Sequence, residues 1–159
     1  MDPRDARGRE AADAARFVVA SLAARAQSVA EIEAKLVRRG VPDAASREAI
    51  DRALRLGYLD DAELAGQIAR GMRSRGYGRR RAEAALRGRG LRPAHAEAAL
   101  DEAYGTADEV ALARAALGSR SLTDDEPGRR RAAGFLVRRG FPSAVAWQAV
   151  REALTERGR

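Results

Sequence analysis

The chain has no cysteine, one histidine (His95), one lysine (Lys35) and seven aromatic residues among 159. Without cysteine there is no disulfide, no thiolate metal site and no thiol nucleophile, and a lone histidine excludes a histidine-rich metal centre. A serine triad would have to use His95, which has no suitable neighbours in sequence. No P-loop, glycine-rich dinucleotide turn or metal-ligand spacing occurs. No cofactor or metal is therefore expected, and the chain does not read as an enzyme. No apolar run approaches membrane-spanning length, and no charged-then-apolar leader opens the sequence, so a soluble cytoplasmic protein without membrane contact is expected. No segment alternates with period two, which leaves no candidate for a sheet.

Alanine, arginine and acidic residues fill the space. The apolar share is 45%, but alanine dominates it, so each packed unit should be thin-cored and lean on its neighbours. The formal charge is +7, which favours a polyanionic partner or an acidic protein surface. That charge is unevenly spread. The first 60 residues carry 11 basic and 10 acidic groups, whereas residues 70–92 carry nine arginines and one acid, Glu83.

An internal period of 50 residues organises the chain. Leu36-Val37-Arg38-Arg39-Gly40-Val41-Pro42 returns as Leu136-Val137-Arg138-Arg139-Gly140-Phe141-Pro142, with Leu86-Arg87-Gly88-Arg89-Gly90-Leu91-Arg92 between them. The register continues through Ala44, Ala94 and Ala144; Ala49, Ala99 and Ala149; Ile50, Leu100 and Val150; and Ala53, Ala103 and Ala153.

Each repeat reads as three helices. In the first, Phe17, Val18 and Leu22 share a face, and Ser28-Val29-Ala30-Glu31 has capping-box form. Val29, Ile32, Leu36 and Val37 make the next stripe. Gly40 sits where a helix end needs a left-handed residue, and Pro42 cannot continue the helix. The third helix presents Ala49, Ile50, Ala53 and Leu54 and stops at Gly57. Asp60 with Glu63 opens the second repeat, where Leu64, Ile68 and Met72 mark a helix that ends at Gly76. Helices over about 79–89 and after Pro93 complete it. Thr106-Ala107-Asp108-Glu109 reads as a further capping box. Helices from about Gly128 and from Ser143 close the chain. The expected organisation is all-α: an elongated, monomeric array of three tandem three-helix repeats. A mobile charged tail occupies residues 1–12, and the repeats span 13–58, 59–105 and 106–159, the last with a loop over 118–127.

The string Gly57-Tyr58-Leu59-Asp60-Asp61, the helix bearing Ala65, Arg70, Arg73 and Arg75, the turn Arg75-Gly76-Tyr77-Gly78, and the run Arg79-Arg80-Arg81 to Gly90 together resemble the signature of the RecX family. The resemblance extends over about residues 13–156 and is most specific over 57–90. Leu64 stands where that family usually has an aromatic residue, and Arg79 where proline is common. The resemblance implies three three-helix repeats and binding in the groove of a RecA–DNA filament across more than one protomer. It further implies hindrance of recombinase ATPase and strand exchange, in the setting of DNA repair.

The candidate RecA- or DNA-binding residues are Arg70, Arg73, Arg75, Tyr77, Arg79, Arg80, Arg81, Arg87 and Arg89. With so few acids nearby, local neutralisation should fail and like charges should repel until a partner relieves them. Arg38, Arg39, Arg138 and Arg139 are secondary candidates, because cations in a last helical turn also favour the macrodipole. Tyr77 has two readings, stacking on a partner or packing beneath its own turn, and the packed one is preferred. Trp147 aligns with Arg47 and Glu97 and is read as covering the end of the array. His95 is incidental, Asp60 and Asp61 are helix caps, and Asp124-Asp125-Glu126 is a solvated acidic turn. The rival reading is a weak, non-specific DNA-binding protein built of helix-turn-helix-like pairs. The short turn at 38–42 allows that geometry. The helix after it carries alanines and acids where base-reading side chains would be expected. A purely structural helical adaptor would need no basic cluster.

Overall fold

The computed structural model describes residues 3–158, and among them it contains nine helices and no strand: α1 (Pro3–Ala24), α2 (Val29–Arg38), α3 (Asp43–Arg55), α4 (Asp61–Ser74), α5 (Arg79–Gly88), α6 (Pro93–Tyr104), α7 (Glu109–Leu117), α8 (Glu126–Arg138) and α9 (Ser143–Arg157). The all-α expectation holds, with three helices in each 50-residue register. Where the sequence suggests a mobile tail over 1–12, a helix runs from Pro3 onward. Proline suits a first turn, since its missing N–H would have no intrahelical acceptor there, and the alanines beyond it are strong helix formers. Met1 and Asp2 of that stretch, and Arg159 at the end of the third repeat, lie outside the described residues.

Local capping explains where the helices begin. Ser28 accepts from the Glu31 N–H at 3.1 Å while its own N–H donates to Glu31 at 2.9 Å, a complete capping box. Asp60 accepts from the Glu63 N–H at 2.9 Å. For α7 the cap is Asp108, accepting from Val110 and Ala111, and not Thr106 at the head of the sequence box. Asp125 caps α8, whose first turn takes in Glu126 and Pro127, two residues ahead of the expected start. At the other ends Gly40, Gly90 and Gly140 have φ of 71°, 68° and 95°, the left-handed region the repeat leads one to expect.

The packing divides into two compact units, Met1–Ala65 with Arg87–His95, and Gly66–Leu86 with Ala96–Arg159. In the first, α1 packs chiefly on α3, around Ala14, Val18, Ile32, Leu36, Ala49, Ile50, Ala53 and Leu59. In the second, α7, α8 and α9 enclose Ala113, Leu117, Leu136, Phe141, Ala149 and Val150. Equivalent positions share a fate: Leu36, Leu86 and Leu136 are fully buried, while Ala44, Ala94 and Ala144 are exposed. Val37 and Leu54 depart from their expected stripes, and Val37 is 70% exposed. Each lies about 100° of helix rotation from the buried residue before it, and an alanine-lined core is too narrow to reach both.

Candidate binding surface

The centre of the sequence signature folds as a backbone-fitted turn in the second unit. Gly76, with φ of 75°, ends α4. The Gly78 N–H donates to the Arg139 carbonyl at 2.8 Å, and a Cβ on Gly78 would lie 2.6 Å from the Gly140 carbonyl oxygen. Tyr77 between them is half-buried beneath Arg139, whose guanidinium stands 4.4 Å from the ring centroid and donates to the Arg75 carbonyl at 3.1 Å. The same guanidinium lies 5.0 Å from the Phe135 ring. The Tyr104 hydroxyl donates to the Tyr77 carbonyl at 3.0 Å, and burial pushes that hydroxyl up to about 12 against the opposing charge of Arg73. Tyr77 thus packs beneath its turn, as preferred from the sequence.

Several of the candidate arginines are already engaged. Arg73 donates to the Ala103 carbonyl at 2.7 Å, at the C-terminal end of α6 where a cation is favoured. Arg75 donates to the Gly71 carbonyl at 3.0 Å. Arg79 pairs with Asp101 at 2.7 Å, and Arg70 with Glu102 at 3.4 Å. The expectation that neutralisation fails is therefore corrected for these two, because α6 supplies acids from outside the basic run. Arg80, Arg81 and Arg138 are exposed and form no ion pair among the described residues. Arg80 and Arg81 lie in the first turn of α5, where the helix end is itself positive. A cleft of about 290 Å³ lined by Arg73, Arg75, Tyr77, Leu112, Ala116 and Phe141 lies in the same unit.

The other candidates belong to the first unit. Arg89 clamps Glu31 with two hydrogen bonds of 2.8 and 3.0 Å and donates to the Ala26 carbonyl at 3.0 Å. Burial pushes the Glu31 carboxyl up, but hydrogen bonds from Arg89 and the Ser28 N–H, with the charges of Arg89 and Arg25, outweigh it and hold it below the usual carboxylate range. Arg39 stacks 4.5 Å over Phe17, Arg38 and Arg87 are exposed, and Arg89 is half-buried. The Leu-Asp-Asp entry also resolves here. Leu59 enters the core, Asp60 caps α4, and Asp61, buried, accepts from the Val29 N–H at 3.0 Å.

Sequence reasoning missed Glu31, Asp101 and Glu102 as partners, because they lie 58, 22 and 32 residues from Arg89, Arg79 and Arg70. Trp147 is half-buried against the third-repeat core, and His95 is half-buried with no hydrogen bond to its Nδ1 among the described residues. Among those residues no group of three or more histidine or acidic side chains is placed to hold a metal, and no helix is long and apolar enough to cross a membrane.

Comparison with known proteins finds two matching three-helix domains. The first three-helix domain of RecX matches residues 18–52, and the second matches residues 60–100. Regulatory protein RecX of Amycolatopsis mediterranei (strain U-32) is 31% identical over 144 residues, covering 86% of this chain and 81% of its own. The chain belongs to the RecX family. Regulatory protein RecX of Xanthomonas axonopodis pv. citri (strain 306) is 34% identical over 122 residues, or 76% of this chain and 75% of its own. The crystal structure of RecX from Lactobacillus salivarius matches with a TM-score of 0.74, covering 92% of this chain and 97% of its own at 18% identity, and so shares the fold. The second RecX domain match takes in Tyr77 and the whole of α5, and membership carries the regulatory role by which these relatives are named.

Proposed function

We propose that this protein regulates the RecA recombinase by lying in the groove of the RecA–DNA filament, where it hinders ATP hydrolysis, strand exchange and filament growth. The observation that carries the reading is the exposed Arg80 and Arg81 at the start of α5. Cations at a helix N-terminus oppose the macrodipole, and these two have no acidic partner among the described residues. An anionic partner, whether acidic protein surface or phosphate, relieves both costs at once. Arg138 and the Arg38 side chain are subsidiary contacts, while Arg79 and Arg89 serve mainly to hold the fold. Bare DNA is bound only weakly and without sequence preference.

Charge reversal tests this directly. R80E/R81E should keep the parent's helical circular dichroism, since the new charges favour the dipole. It should lose most inhibition of RecA ATPase, about tenfold or more, the scale expected when favourable contacts become repulsive. R7E/R47E, an equal change of net charge elsewhere, should inhibit nearly as the parent does. A folded R80E/R81E chain that inhibits RecA as well as the parent would overturn the reading.

A further inference from the structure

The 50-residue register pairs two recurring features. Ser28 and Gly78 immediately precede α2 and α5, Gly128 lies in the first turn of α8, and Gly40, Gly90 and Gly140 mark the turns that end those helices. In both units one such turn is seated on one such start. In the first, the Ser28 hydroxyl donates to the Arg89 carbonyl at 2.6 Å, and a Cβ on Gly90 would lie 2.8 Å from the Ala30 Cβ. In the second, the Gly78 N–H donates to the Arg139 carbonyl at 2.8 Å, and a Cβ on Gly140 would collide with the Arg81 backbone nitrogen.

One turn and one start are left over, and both carry the sequences of the seated pair in the second unit. The turn at 36–42 differs from that at 136–142 only in Val41 for Phe141. The start Gly128-Arg129-Arg130-Arg131-Ala132 repeats Gly78-Arg79-Arg80-Arg81-Ala82 without change. The turn is open: among the described residues, a Cβ on Gly40 would meet nothing within 4 Å. The start is closed by its own loop. There the Gly128 N–H donates to Asp125 Oδ1 at 2.9 Å, and the Thr123 hydroxyl donates to the same oxygen at 2.6 Å. A Cβ on Gly128 would overlap Thr123 Oγ1. The Asp125 carboxylate thus does for Gly128 what the Arg139 carbonyl does for Gly78.

We propose that the 36–42 turn of one copy of this chain docks on the 128–132 start of a second copy, and that the 123–125 loop is a plug holding this head-to-tail contact closed. Docking exchanges one hydrogen bond for another: the Gly128 N–H leaves the Asp125 carboxylate for the Arg39 carbonyl. The register also places Asp125 where Arg75 stands in the intramolecular joint. Arg39 of the incoming copy, in the role of Arg139, would therefore reach a residue of opposite charge. Each copy keeps one unseated turn and, once the loop is displaced, one unseated start, so the contact is heterologous and closes only as a ring. It is independent of filament binding and can fail without touching that reading.

The test compares the parent, T123G/D125G, and T123G/D125G with Gly40→Asn by sedimentation velocity at rising concentration. The double variant should shift to larger, concentration-dependent species where the parent does not. Gly40→Asn should abolish the shift. Asparagine tolerates a left-handed φ, but its Cβ fills the room that Gly90 and Gly140 must leave empty. A folded double variant that sediments like the parent throughout, or an association that Gly40→Asn leaves unchanged, overturns the proposal. Should circular dichroism show that α8 is lost with its cap, T123G alone, which keeps the Asp125 cap and clears the side chain that overlaps the Gly128 Cβ position, takes the place of the double variant in the same comparison. It should associate at rising concentration where the parent does not, and parent-like sedimentation throughout overturns the proposal.

Discussion

At the scale of single residues, two acids tie the first repeat to the second. Asp61 holds the Val29 N–H at the start of α2, so Asp61→Ala should cost about 0.5–2 kcal/mol, the usual range for a lost helix cap, read by urea denaturation. Asp61→Asn, which keeps an acceptor oxygen, should recover most of it. Glu31 is clamped by Arg89 and titrates below its ordinary value in the folded chain. The unfolded chain binds its proton first as pH falls, so the clamp stabilises the fold above the ordinary carboxylate range. That stability drains away as pH drops through the lower folded value. Glu31→Gln should therefore be less stable than the parent near neutral pH, by about 1–2 kcal/mol for a part-screened charged hydrogen bond. The gap in thermal midpoint should close in acid, and a gap that widened instead would contradict the assignment.

At the scale of helices and turns, the three equivalent glycines should separate by their surroundings although their sequences are alike. Gly40→Ala meets open space and pays only left-handed strain, about 1–2 kcal/mol. Gly90→Ala adds a clash with the Ala30 side chain, and Gly140→Ala a clash with Arg81 backbone that cannot move aside, raising the cost by about a further 1–3 kcal/mol. The order of urea midpoints should be Gly40→Ala, then Gly90→Ala, then Gly140→Ala. Gly88, at the end of α5 with nothing near its missing side chain among the described residues, should gain about 1 kcal/mol on substitution by alanine. These positions also show what the sequence makes legible. Ser28 with Glu31, Asp60 and the turn glycines announce themselves because a cap is settled within a few residues. Leu36, Leu86 and Leu136 do so because the chain repeats its own core. The exposure of Val37 and the pairing of Arg79 with Asp101 depend on which helix packs where. The basic run is therefore legible as an excess of charge, but not as a choice between Arg80, which is exposed, and Arg79, which is paired.

At the scale of the whole molecule, the near-neutral first 60 residues and the basic stretch that follows put the positive field of a +7 chain in its middle. If that field met only phosphates, binding to bare DNA would release counterions and weaken steeply with salt. Preference for a filament requires acidic protein surface as well, supplied in the same groove. The most direct measurement titrates the labelled protein, at physiological salt, with bare single-stranded DNA, with free RecA, and with the RecA filament formed on that DNA. The filament should bind at least about tenfold more tightly than either component, a difference of about 1.4 kcal/mol. Affinity for bare DNA equal to that for the filament, or a sequence-specific footprint on it, would contradict a regulator that recognises RecA on DNA and would favour a DNA-binding helical repeat.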